Sequence, residues 1–174
     1  KLNQFHCPIG ISVGGDSVNE YKLVIESLID QNVLEFLNQP YLEINISCPN
    51  TNTGQSLHDN LDELEQLLAF ARSKLNSVIV VKVSPDTKNE NLLDIASLVS
   101  SMPKVTINAG NTTFRTCKSV GIKESLLSIG GGGVSGPSLF IRTLEMATCL
   151  SQFKLPLIAT GGITNTHQIN ELKK

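Results

Sequence analysis

The chain has 174 residues, 40% of them hydrophobic, and a formal net charge of -2 at pH 7. That is enough apolar material for one buried core, and a near-neutral balance without a lysine or arginine run excludes a nucleic-acid or membrane-surface face as the main activity. No apolar stretch reaches the ~20 residues that cross a bilayer, so a single domain over residues 1–174 with no transmembrane segment is expected.

Pro8 to Val13 reads as a short buried strand broken by Gly14-Gly15-Asp16. Ser17 and Glu20 have capping-box spacing, and Leu23, Ile25, Leu28, Ile29, Leu34 and Leu37 predict one long helical segment behind them. Tyr41 to Ser47 is the second strand. Its alternation puts Leu42, Ile44 and Ile46 on one face and Glu43, Asn45 and Ser47 on the other, so the polar face must look into a site or a barrel interior. Pro49 biases Cys48 away from helical geometry and ends the strand, leaving the Cys48 thiol on a loop at a strand's carboxyl end.

Asn60 caps the next helix, whose Leu61, Leu64, Leu67, Leu68 and Ala71 recur at helical spacing. Ser77 to Ser84 is an almost continuous apolar run, as a parallel strand covered on both faces should be, and Lys82 interrupts it. Leu92 to Val99 marks a third helix, stopped by Pro103, and Val105 to Ala109 a fourth strand that delivers Asn111-Thr112-Thr113. A long polar segment leads to Gly130–Gly133, after which Pro137 suits the first turn of a helix running to about Phe153. Leu155 to Thr160 is a fifth strand, followed by Gly161-Gly162 and a last helical piece from about Thr164.

Strands and helices therefore alternate five times with no hairpin signal, which demands a parallel sheet with right-handed crossovers. Polar residues at the inward positions of two strands (Glu43, Asn45, Lys82) favour a barrel over an open sheet, yet five units do not close eight strands. The expected fold class is α/β, with parallel β/α units forming an incomplete TIM-type (β/α)8 barrel.

Several residues at strand ends have chemistry to offer. Cys48 would need a lowered pKa or an acidified substrate proton to act as a base, and the flanking Asn45 and Asn50 each offer an amide donor and acceptor to the edge of a planar polar ring. Lys82 is either an edge lysine that snorkels outward or a cation facing an anion or an electron-rich cofactor. The glycine turns Gly130–Gly133 and Gly161-Gly162 suit close approach of backbone N–H groups to a phosphate. Cys7, Cys117 and Cys149 read as structural thiols, and His6, His58 and His167 as surface or structural residues with no metal-ligand spacing.

Taken together, Asn45-Ile46-Ser47-Cys48-Pro49-Asn50-Thr51, Val81-Lys82-Val83-Ser84-Pro85-Asp86, Asn111-Thr112-Thr113, Gly132-Gly133-Val134-Ser135-Gly136 and Ala159-Thr160-Gly161-Gly162-Ile163 resemble, in order, the motifs of the dihydroorotate dehydrogenases. The resemblance implies an enzyme of pyrimidine biosynthesis: a flavin mononucleotide (FMN)-dependent barrel that oxidises dihydroorotate to orotate. It implies Cys48 as the base at C5 of the substrate while hydride leaves C6 for the flavin. Asn45, Asn50, Asn111 and Thr112 would hold the pyrimidine and its carboxylate. On the cofactor side, Lys82 would sit by the flavin N1 and C2 carbonyl with Asn45 and Asn111 nearby, and Gly132, Gly133, Gly161 and Gly162 would approach the ribityl-phosphate.

A cysteine base resembles the soluble class of the family, whereas the Asn111-Thr112-Thr113, Thr51 and Pro85-Asp86 contexts resemble the quinone-using class. The electron acceptor therefore stays open between fumarate, NAD and a quinone. So does location, cytoplasmic in the first case and membrane-associated or mitochondrial in the last. The chain matches the family from its third barrel strand to just after its seventh. By itself it is expected to bind flavin weakly or not at all, to be inactive, and to pair with another copy or belong to a larger polypeptide. Two other readings stand beside this one: the flavin domain of a dihydropyrimidine dehydrogenase, and a non-catalytic truncated barrel used as a binding or assembly module.

Overall fold

The computed structural model describes residues 6–47, 57–123 and 130–173. Four of the residues singled out above, Cys48, Pro49, Asn50 and Thr51, lie outside them.

Five parallel strands form one sheet in the order β1 (Gly10–Val13), β2 (Tyr41–Asn45), β3 (Val78–Val83), β4 (Val105–Ala109) and β7 (Leu157–Ala159). Each is followed by a helix: α1 (Val18–Asp30), α2 (Leu61–Lys74), α3 (Asn89–Ser100), α4 (Phe140–Ser151) and α5 (Thr166–Leu172). This is the expected alternation, an arc of β/α units from a parallel barrel. Among the described residues no helix is long and apolar enough to cross a membrane.

Period-two alternation splits the central strands into two faces. Leu42 and Ile44 of β2, Ile79, Val81 and Val83 of β3, and Ile107 and Ala109 of β4 have no exposed surface. They share one core with Leu64, Leu67, Leu68 and Ala71 of α2 and Leu92, Ile95, Ala96 and Val99 of α3. Each fully buried Leu, Ile or Val contributes roughly 1.5–3 kcal/mol, so this outer face holds the arc together. The opposite face carries Ser12, Glu43, Asn45, Lys82 and Asn108, and so is left free for a site.

Helix starts follow the sequence closely. Ser17 accepts a hydrogen bond from the Glu20 N–H (3.3 Å), while the Glu20 carboxylate accepts one from the Asp16 N–H (2.7 Å). Asn60 accepts from the Glu63 N–H (3.3 Å). These contacts satisfy N–H groups that a helix start would otherwise leave unpaired.

Three expectations need correction. The long first helix ends at Asp30, because Asn32 takes a left-handed conformation (φ 52°), which asparagine tolerates, and Val33–Phe36 form a separate 3-10 turn. Leu34 and Leu37 are still buried, but Leu23, assigned to the buried face, is 65% exposed; the true face is Tyr21 and Ile25. Second, the strand expected to reach Ser47 ends at Asn45, and the fifth parallel strand spans only Leu157–Ala159.

Third, a hairpin-like ladder exists where none was expected. β5 (Thr113–Thr116) pairs antiparallel with β6 (Gly131–Val134). Glycine has low strand propensity and gives no alternation, which hides β6 in the sequence. Its partner β5 is fixed from outside: Asp86 accepts from the Phe114 N–H (2.8 Å) and the Thr113 hydroxyl, with Arg115 3.8 Å away.

Candidate active site

The register puts Asn45, Lys82 and Asn108 side by side on β2, β3 and β4, so their side chains share one level of the polar face. Ser12 and Glu43 are likewise paired on β1 and β2, one layer below. Glu43 reaches across. Its Oε1 accepts from the Ser12 hydroxyl (2.7 Å) and lies 3.8 Å from Lys82 Nζ, and its Oε2 accepts from Asn108 Nδ2 (2.8 Å). Asn108 Oδ1 accepts in turn from the Thr160 hydroxyl (2.9 Å), just past β7. Every strand of the sheet thus contributes one polar side chain, directly or from its carboxyl end, to a single network.

Lys82 was open between an outward-snorkelling lysine and a cation held at the mouth. Its side chain is three-quarters buried and faces Glu43, which favours the second. Burying either charge alone would be costly, and the pairing, with two neutral donors on the carboxylate, lowers that cost.

A second cluster sits at the carboxyl ends of β2 and β4. Asn45 Oδ1 accepts from the Ser47 N–H (3.4 Å) and the Ser47 hydroxyl, and Asn111 Nδ2 donates to the Ser47 oxygen. Asn111 Oδ1 accepts from the Thr112 N–H (2.8 Å), fixing the turn after β4. The Tyr21 hydroxyl donates to the Asn45 carbonyl (2.6 Å), so α1 braces the end of β2. Asn45 and Asn111, expected to act together, are therefore joined through Ser47.

The Gly161-Gly162 turn packs against the start of α4. Gly162 has φ 72°, and a Cβ there would overlap the Phe140 N–H at the start of α4 and come within 3.0 Å of the Gly136 carbonyl. Gly161 (φ 114°) rests on Thr143, whose hydroxyl donates to its carbonyl (2.8 Å). Gly133 abuts the Thr112 side chain, whereas Gly132 and Gly136 face open space where a side chain would otherwise stand. Glycine is thus required at 161 and 162 by positive φ and close packing, and at 136 by positive φ (109°), whereas 132 simply adjoins open space.

Of the residues expected in a site, Asn45, Lys82 and Asn111 lie on the inner face and carboxyl-end rim, Gly161 and Gly162 follow β7, Thr112 abuts Gly133, and Gly132 lies on β6 of the separate antiparallel pair. Ser12, Asn108 and Thr160 belong to the same surface; Ser12 and Asn108 carried no sequence signal beyond strand position, and Thr160 stood in a family motif without a role assigned to it. Only their partners across the sheet give them meaning.

The dihydroorotate dehydrogenase family model matches residues 1–172. The chain belongs to that family. The catalytic subunit of a dihydroorotate dehydrogenase B (NAD(+)) from Bacillus pumilus is 30% identical over 172 residues, covering 98% of this chain and 53% of that protein. A dihydroorotate dehydrogenase (quinone) from Mycolicibacterium gilvum is 31% identical over 160 residues, covering 90% of this chain and 44% of its own. The chain thus spans about half the length of the curated relatives it matches. Among solved structures, a DHODH from Eimeria tenella in complex with ferulenol superposes with a TM-score of 0.76 at 24% identity, over 96% of this chain and 50% of that one. This likeness supports the barrel fold.

Proposed function

We propose that this chain forms the substrate- and flavin-facing arc of a dihydroorotate dehydrogenase, acting in pyrimidine biosynthesis on dihydroorotate with FMN as cofactor. The observation that carries the reading is the row Asn45, Lys82, Asn108 on the inner face, continued by Asn111 at the rim, in a chain of this family. The donor set fits the cofactor: amide donors and acceptors for a planar polar ring, one cation, and two glycines, Gly132 and Gly136, with open space where a Cβ would stand. Bound FMN would supply the hydride acceptor.

Cys48 follows Asn45 by three residues and acts as the base. Its sulfur takes the proton from C5 of dihydroorotate as the C6 hydrogen departs with its electron pair, and the C5–H electrons become the new C5=C6 bond of orotate. Asn45, Asn50, Asn111 and Thr112 orient the pyrimidine and its carboxylate, which turns an encounter into an aligned reaction. Lys82 faces the side where negative charge develops and stabilises it. Gly132, Gly133, Gly161 and Gly162 would offer backbone N–H groups to the cofactor phosphate.

The relatives' names include both NAD(+) and quinone, and the reading commits to the dihydroorotate half-reaction, which needs neither.

Cysteine substitution tests the reading in the intact flavin-loaded protein. Cys48→Ala should slow flavin bleaching by dihydroorotate by about 10²–10⁴-fold, the usual weight of a general base, while Cys48→Ser keeps part of the rate. Bleaching at the native rate in Cys48→Ala would remove Cys48 as the base, and a native protein whose flavin dihydroorotate does not bleach would instead be a binding or assembly module.

A further inference from the structure

Glu43 is the least expected group on the inner face. It is a carboxylate only 9% exposed, in the middle of a β-sheet, and the reaction proposed above gives it no role. Yet it is the most heavily anchored side chain there. Ser12 from β1 and Asn108 from β4 each donate to a different carboxylate oxygen, and Thr160 holds Asn108 in the orientation that donates. A carboxylate fixed from both sides across four strands is a rigid point charge. The Lys82 ammonium, by contrast, has no hydrogen bond among the described residues and approaches Glu43 Oε1 at 3.8 Å, an ion pair without direct hydrogen bonding.

We propose that Glu43 is a resident counter-ion that tunes Lys82, setting how strongly the inner face favours negative charge on a bound flavin ring. The inference rests on the flavin reading above and deepens it. The physical basis is competition. A lysine on a flexible stem beside a fixed anion at 3.8 Å is already partly neutralised, so any negative charge that grows on a neighbouring ring shares the cation with Glu43. Ser12 and Asn108 keep the carboxylate from following the lysine, so the share is set by geometry and not by side-chain motion. Glu43 is therefore a tuning residue that acts through Lys82; it need not touch substrate or cofactor.

The sign of the effect separates this role from a structural one. Glu43→Gln keeps the volume and the Ser12 hydrogen bond but removes the charge, and Glu43→Asp keeps the charge. In the intact flavin-loaded protein, E43Q should move the flavin midpoint potential to a more positive value, and E43D should leave it near that of the native protein. A merely structural role would loosen the fold in both variants and would not select the neutral one.

A second measurement needs neither flavin nor substrate. In flavin-free protein treated with acetic anhydride, acetylation at Lys82, read by mass spectrometry against Lys74 and Lys104 in the same sample, should rise by roughly threefold or more in E43Q and stay at the native level in E43D; threefold matches the loss of one partly exposed ion pair. Should E43Q fail to fold, Glu43→Ala carries the same two expectations. A potential that is unchanged or more negative in the neutral variants, or acetylation at Lys82 that ignores them, overturns the proposal. If the native protein binds no flavin, the reading of the previous subsection falls, and the acetylation result alone decides whether Glu43 governs Lys82.

Discussion

The middle of the sheet and its two margins are built from similar sequence and end in different environments. Val78-Ile79-Val80-Val81 in β3 and Leu157-Ile158-Ala159 in β7 are both short apolar strands. In β3 the run from Ile79 to Val81 is essentially completely buried, between α2 and α3 on one side and the polar network on the other. In β7 no residue is fully buried, Ile158 is 38% exposed, and α5 behind it has no buried residue. The other margin is alike: of β1, only Val13 is buried. An apolar run therefore says that a strand is fit for burial on both faces, and its neighbours decide whether it receives it. In the described arc the margins still present the surface that further strands and helices of a barrel would cover.

The contrast can be broken most sharply by the same substitution made in both places. Ile107→Ala in β4 should cost about 2–5 kcal/mol in denaturant unfolding, because Ile107 is wholly buried and the strand cannot collapse onto the gap. If Ile107→Ala proved as mild as a surface change, the centre would not be the rigid core described above.

Next in size is the polar network. Asn108→Ala removes the donor on Glu43 Oε2 and the acceptor of the Thr160 hydroxyl, leaving a nearly buried carboxylate oxygen without that partner. An unfolding penalty of about 1–3 kcal/mol is expected, with amide hydrogen exchange rising in β4 and β7 together. Exchange that rises in β4 alone would show that Thr160 does not couple the margin to the centre.

The smallest effect belongs to the margin itself. Ile158→Ala should cost about 1 kcal/mol or less, the range of half-exposed positions, and amides of β1 and β7 should exchange ahead of those in β3. A penalty at Ile158 as large as that at Ile107 would mean that the margin is covered in solution, by a second copy or by further strands, and would sharpen where the arc is completed.

How much of this was legible in the sequence varies with the range of the interactions. The alternation of strands and helices, the caps at Ser17 and Asn60, and the two faces of β2 follow from spacing alone, since periods of 3.6 and 2 are local properties of the chain. The family motifs named Lys82 and Asn111 for the same reason: they stand in contiguous words. The break at Asn32 was invisible because the apolar pattern runs on through it, and only the left-handed backbone there separates helix from turn. The β5–β6 ladder was hidden because its strength comes from Asp86, some thirty residues away, and not from its own glycines.

The class of fold, the alternation of the five parallel strands with their helices, and the polar residues near the strand ends were thus written in the sequence. Tertiary structure alone decided that Glu43 faces Lys82, that Ser12 and Asn108 hold its two oxygens, and that the Gly161-Gly162 turn packs against the start of α4. The reason is physical. A side chain's face is set by the backbone period within its own strand, but its partner is set by the register between strands, which depends on how all the helices and strands pack together.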